Sequence, residues 1–108
     1  MSVVFRPGQE LTENDLRVFL RDRQGTSLDS LTVRYSIYYK DGGDWVSLGT
    51  TFSEQTPEES DTAGKYWVDW EIEPGRTPGT YQIRWDFREG ASSMWKQVRV
   101  NFAIVKDA

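Results

Sequence analysis

The segment Leu31-Thr32-Val33-Arg34-Tyr35-Ser36-Ile37-Tyr38-Tyr39 sets an apolar or aromatic residue at every odd position and mostly polar residues between them. A period of two is that of a β-strand with one buried face, so Leu31, Val33, Tyr35, Ile37 and Tyr39 are predicted to point the same way. β-Branched and aromatic side chains suit a pleated, half-buried surface. The same alternation returns in Tyr66, Val68, Trp70 and Ile72, in Tyr81, Ile83, Trp85 and Phe87, and in Val98, Val100, Phe102 and Ile104. Each such strand has an apolar face that another layer must cover, and with no convincing helix that layer is a second sheet.

Turn chemistry divides the chain in agreement with this. Pro7-Gly8, Gly42-Gly43, Pro74-Gly75 and Pro78-Gly79 leave intervals that suit short strands better than long helices. Strands are expected at residues 3–6, 15–22, 31–40, 45–53, 65–73, 80–88 and 94–105, about seven in all. In the second of these, Leu16, Val18 and Leu20 alternate with Arg17, Phe19 and Arg21. Thr12 followed by Asp15 also resembles a helical capping pattern, so a short helix is the alternative to the favoured strand. Residues 50–63, rich in Glu and Asp, read as a solvated loop or short edge strand. The segments 65–73 and 80–88 are separated too briefly for a crossover helix, and an antiparallel pair is their simplest arrangement. The expected fold is an all-β Greek-key sandwich forming one domain over residues 1–108. Its predicted core is Leu16, Val18, Leu20, Leu31, Val33, Tyr35, Ile37, Val68, Trp70, Ile72, Ile83, Trp85, Phe87, Val98, Val100 and Phe102.

Five Trp, five Tyr and five Phe must supply much of the buried area of this 108-residue chain, whereas Cys and His are absent. Without them there is no disulfide, no Ser-His-acid or Cys-His nucleophile, and none of the common zinc ligand sets. Thirteen basic and seventeen acidic residues give a net charge of −4 with no strongly basic block, which disfavours nucleic acid and anionic membrane surfaces. Apolar runs fall far short of the roughly 20 residues of a membrane span, and the N-terminus has no signal-peptide pattern. Asp69 and Glu71 share a predicted strand face with Cα atoms about 6.5–7 Å apart. Pairing with charges on the strand holding Arg84, Asp86 and Arg88 explains them more simply than acid–base catalysis. No phosphate-cradling glycine motif and no regular calcium loop occurs. The expectation is a noncatalytic protein with neither cofactor nor metal.

Aromatic residues opposite the apolar faces are the more informative feature. Phe19, Tyr38, Trp67 and Trp95 are predicted to point outward, where rings anchor protein interfaces, stack on glycans or pack under loops. Arg17, Arg21, Arg34, Arg84 and Arg88 are spread over the polar faces, available for solubility, pairing within a sheet, or a partner's carboxylates. The candidate interface is Phe19, Tyr38, Trp67, Arg84 and Trp95.

The run Pro78-Gly79-Thr80-Tyr81-Gln82-Ile83-Arg84-Trp85 resembles the Pro-Gly-Thr-x-Tyr region of fibronectin type III and related immunoglobulin-like domains, although here the tyrosine follows Thr80 directly. That resemblance implies that Tyr81 bonds back to the corner preceding its strand. The wider pattern around Val33–Tyr38, Gly64–Trp70 and Gly79–Trp85 is similar to immunoglobulin-like modules of tailed-bacteriophage virion proteins, over roughly residues 15–105. It implies an immunoglobulin-like fold located in the virion, acting as a structural or interaction part such as a capsid decoration, neck or tail component. Its partners would be other virion proteins or further copies of itself. A carbohydrate- or receptor-binding module is the alternative.

Overall fold

The structure is a computed structural model that describes residues 3–20, 32–61, 64–89 and 94–105. Among the described residues eight strands run in the order β1 (Val3–Phe5), β2 (Arg17–Phe19), β3 (Thr32–Asp41), β4 (Asp44–Ser47), β5 (Glu58–Glu59), β6 (Lys65–Trp67), β7 (Gly79–Arg88) and β8 (Lys96–Ile104). They form a five-stranded sheet, β1-β8-β7-β3-β4, and a three-stranded sheet, β2-β6-β5. The all-β sandwich expected from the alternation is what the chain adopts.

β3 is antiparallel to both β4 and β7, β7 is antiparallel to β8, and β1 runs parallel to its neighbour, β8. The β3–β4 hairpin turns through Gly42 and Gly43 at φ 58 and 101, a conformation that glycine adopts without the Cβ penalty of other residues. Across β3, β7 and β8 the register puts Val33 opposite Phe87, Tyr35 opposite Trp85 and Ile37 opposite Ile83. Ile83 and Trp85 in turn oppose Val100 and Val98.

These inward residues join Leu16, Val18 and Leu20 of the other sheet, with Tyr66, Val68, Trp70 and Ile72, in one apolar cluster. Trp85, Ile37, Ile83, Val68 and Ile72 are fully buried. Phe87, Val98 and Val100 pack against the cluster but stay partly exposed, while Leu31 lies outside the described residues. Phe5, whose ring is tilted against that of Phe102 with centroids 5.7 Å apart, and Leu11 are core members beyond the expected list.

Several expectations change. Strand pairing in the fourth expected segment stops at Ser47, and Thr50–Phe52 form a 3-10 turn. The acidic segment contributes the two-residue edge strand β5. Near residue 15 the capping signature closes a turn rather than a helix. The Thr12 backbone N–H donates to the Asp15 carboxylate at 2.7 Å and the Asp15 N–H to the Thr12 carbonyl at 3.0 Å, after which β2 begins.

Residues 65–73 and 80–88 do not pair. β6 lies between β2 and β5, whereas β7 lies between β3 and β8. Beyond Trp67 the chain keeps its alternation but bonds to residues 8–16. Val68 donates to the Leu16 carbonyl at 3.1 Å, Leu11 to that of Trp70 at 2.8 Å and Ile72 to that of Gln9 at 2.8 Å. The connection from Glu73 to Pro78 therefore crosses from one sheet to the other. Tyr81 fastens its far end, because its hydroxyl donates to the Thr77 carbonyl at 2.5 Å. Burial raises this phenol above its ordinary pKa, the charge of Arg76 opposes the shift, and Tyr39 and Glu73 add to it more weakly.

Candidate functional site

Strand alternation on β3, β7 and β8 sends Arg34, Ser36, Tyr38 and Lys40, then Gln82, Arg84, Asp86 and Arg88, then Gln97, Arg99 and Asn101 to the outer face of the five-stranded sheet. The register arranges them in rows: Arg34–Asp86–Gln97, Ser36–Arg84–Arg99 and Tyr38–Gln82–Asn101. Cross-strand neighbours in such rows are close enough to interact directly.

Hydrogen bonds hold the face in one arrangement. Arg84 donates from Nε to Gln82 Oε1 at 2.8 Å, and Gln82 Nε2 donates to Asn101 Oδ1 at 2.9 Å. Arg99 donates to Gln97 Oε1 at 2.6 Å, and Gln97 donates to Asp86 Oδ1 at 2.8 Å. At the margin Arg34 is 3.6 Å from carboxylate oxygens of both Asp86 and Glu54, and the Glu54 backbone donates to Ser36 Oγ at 2.9 Å.

Guanidinium groups cover the aromatic rings. Arg84 lies 4.0 Å from the Tyr38 ring centroid, while Arg34 and Arg88 lie 4.0 Å and 4.3 Å from that of Trp95. Such stacks contribute about 0.5–1 kcal/mol each at exposed sites. They hold long cationic side chains flat, which lowers the entropy lost when a partner is bound.

Charge on this face runs against that of the chain. Arg34, Lys40, Arg84, Arg88 and Arg99 accompany Asp86, in a molecule of net charge −4. Arg84 and Arg99 stand directly opposite each other across β7 and β8. Their Nε atoms bond to neutral glutamines, so each guanidinium keeps its charge uncompensated by those bonds.

The five expected interface residues divide between two surfaces. Tyr38, Arg84 and Trp95 belong to this face, with Tyr38 and Trp95 half-buried beneath their cations. Phe19 and Trp67 belong to the outer face of the three-stranded sheet. Phe19 is 44% exposed with Arg17 and Lys65 near its ring, and Trp67 sits in register between Arg17 and Glu58. Arg21 lies outside the described residues.

The second surface is acidic on balance, with Glu10, Glu58, Asp69 and Glu71 all exposed against the two cations Arg17 and Lys65. Asp69 and Glu71 are thus not paired with the strand bearing Arg84, Asp86 and Arg88, which lies in the other sheet. Glu71 instead opposes Glu10 across an isolated bridge. The acidic surface is felt through the core: burial first, then the charges of Asp69 and Glu58, raises the Tyr35 phenol above its ordinary pKa.

Arg99, Gln97 and Asn101 were outside the expected site. The signal for them was present, since they alternate with Val98, Val100 and Phe102, but only the register shows that they continue the rows of β3 and β7. A hollow of about 280 Å³ lined by Phe87, Arg88, Glu89, Met94 and Lys96 flanks this face at one end. Among the described residues no group of three or more acidic side chains is placed to hold a metal ion, and no helix is long and apolar enough to cross a membrane. Comparison with protein-family models, with curated proteins and with solved structures finds no match.

Proposed function

We propose that this protein is a noncatalytic interaction module that docks through the arginine–aromatic face of its five-stranded sheet onto an acidic protein surface. The observation that carries the reading is Arg84 opposite Arg99. Like charges directly opposite on a sheet destabilise an isolated domain, and an anionic partner laid over them removes that cost. Arginine, tryptophan and tyrosine are also the residues most enriched in interface hot spots.

The setting we propose is a virion of the tailed-phage type, as a decoration, neck or tail component, on the strength of the sequence resemblance. The division into five and three strands, with the penultimate strand inside the larger sheet, supports the immunoglobulin-like part of that reading, as does the Tyr81 bond to Thr77. Charged groups already lie over the Tyr38 and Trp95 rings, where a sugar would stack, which favours an anionic protein partner over a glycan.

The test is to titrate the isotopically labelled chain with a peptide of alternating Glu and Tyr, and with its Lys counterpart, at low ionic strength. Shifts confined to Tyr38, Arg84, Trp95, Arg99 and their neighbours, seen with the acidic peptide alone, are expected. Shifts scattered over both sheets, or none, would overturn the assignment of this face.

A further inference from the structure

The outer face of the three-stranded sheet is the counterpart of the arginine face in charge and in composition. It sets Glu10 against Glu71 as the arginine face sets Arg84 against Arg99, so each surface carries a like-charge cross-strand pair and the two pairs have opposite sign. Each also carries aromatic groups, Trp67 and Phe19 on one and Trp95 and Tyr38 on the other. The three-stranded sheet sets Glu10, Glu58, Asp69 and Glu71 against Arg17 and Lys65, whereas the arginine face sets five cations against Asp86 with Glu54 at its margin, so the two faces have net charges of opposite sign.

We propose that the acidic partner is a second copy of this chain, whose three-stranded sheet docks on the five-stranded sheet of the first. This rests on the arginine face being a docking surface and goes further by naming what covers it. Because the two surfaces differ, the contact is heterologous: it leaves one free face of each kind and repeats head to tail. The smaller surface limits the contact: the three-stranded sheet, lengthened by the bonded segments 8–16 and 68–72, spans about 14 Å by 26 Å, on the order of 400 Å². That is about half the roughly 800 Å² per partner of a standard interface, so the association is weak and sensitive to salt.

Two doubly substituted chains test it. Arg84→Glu with Arg99→Glu leaves Arg34, Lys40 and Arg88 against three anions on the arginine face, and Glu58→Gln with Glu71→Gln leaves Glu10 and Asp69 against Arg17 and Lys65 on the other, so each substituted chain keeps one charged face and one without net charge. The natural chain should show a mass in light scattering that rises with protein concentration at about 0.01 M salt and falls to the 12.5 kDa monomer at about 1 M, where the Debye length is about 3 Å. Each substituted chain alone should remain monomeric. Their mixture should form a one-to-one dimer and stop, because only one complementary pair of faces survives.

A natural chain that stays monomeric at every concentration and low salt would overturn the proposal, and because this readout needs no variant it stands even if a substitution prevents folding. Self-association of either variant alone, or a mixture that stays monomeric, would overturn it as well. If the acidic peptide still maps to Arg84 and Arg99 while the chain stays monomeric, self-docking fails and the docking face remains. If the peptide shows nothing, both readings fall.

Discussion

Replacing Tyr81 by Phe removes one atom, the hydroxyl oxygen that donates to the Thr77 carbonyl at 2.5 Å. The ring itself stays. It is 1% exposed, stacked on Phe102 with centroids 5.5 Å apart and tilted against Tyr39 at 5.1 Å, so the packing contribution is unchanged. What is lost is the net value of one neutral hydrogen bond, about 1 kcal/mol. Thr77 is exposed, so water reaches its freed carbonyl and no orphaned acceptor adds to the cost. With an unfolding entropy of about 2.1 cal/mol/K per residue, that loss lowers the melting temperature by about 4 °C. The assay is urea unfolding followed by tryptophan fluorescence, with calorimetry for the midpoint. Thr77→Ala is the control: it leaves the accepting carbonyl in place and should change stability by less than about 0.5 kcal/mol. A Tyr81→Phe chain as stable as the natural one, with the slope against urea unchanged, would show that the bond does not fasten the crossing between sheets.

Gly79→Ala should cost on the order of 2 kcal/mol in the same unfolding assay, because Gly79 has φ 153 and an added Cβ would lie 2.9 Å from Tyr39 Cε1; a neutral result would mean that the β7 start relaxes freely. Phe5→Ala should lose about 3–5 kcal/mol, since Phe5 fills the core from a strand of three residues, and hydrogen exchange should show β1 opening well before β7. Tyr35 and Tyr81 both have phenols raised above 10.0 in the folded chain, so the unfolded state releases those protons first. Stability should hold below about pH 10 and fall as pH rises through the folded values, with a smaller fall in Tyr81→Phe; a flat profile to high pH would contradict the burial that causes the shifts.

Which side of each strand is buried could be read from alternation alone. Val33, Tyr35, Ile37, Ile83, Trp85 and Phe102 occupy the core as their spacing requires. Which strand lies beside which could not, because pairing is decided by contacts distant in sequence. β7 follows β6 after a short connection, yet β7 buries both its edges against β3 and β8, and the intervening chain crosses between sheets. The misplacement of Asp69 and Glu71 beside Arg84 follows directly from that. Leu11 was hidden for a different reason: it lies in an irregular segment with no period, held against the sheet by its own backbone bond to Trp70 and by the bond of Ile72 to Gln9 nearby. For the site, the outward direction of Tyr38, Arg84, Trp95 and Trp67 was legible from parity. Their separation onto faces of opposite charge depends on sheet membership, which parity does not contain.

That separation matters because a sandwich can associate through its edges or through its faces. An exposed edge offers unpaired backbone groups to any other strand, and proteins suppress this with short, charged edges. Here β5 is two residues, both glutamate, β2 is three with Arg17 at its start, and β1 is three. β4 is the longest edge at four residues; it begins with Asp44 and ends beside Gly49 at φ 116, which breaks the extended line, although Val46 is 47% exposed. The edges thus resist addition of a further strand. The broad faces carry the opposite features: cross-strand like charges that a monomer gains nothing from, cations held flat on aromatic rings, and a sign that reverses from one sheet to the other. Contact through faces is therefore the mode the charge pattern selects. Raising salt should weaken association through Arg84 and Arg99 steeply, whereas backbone pairing at β4 would be nearly indifferent to it.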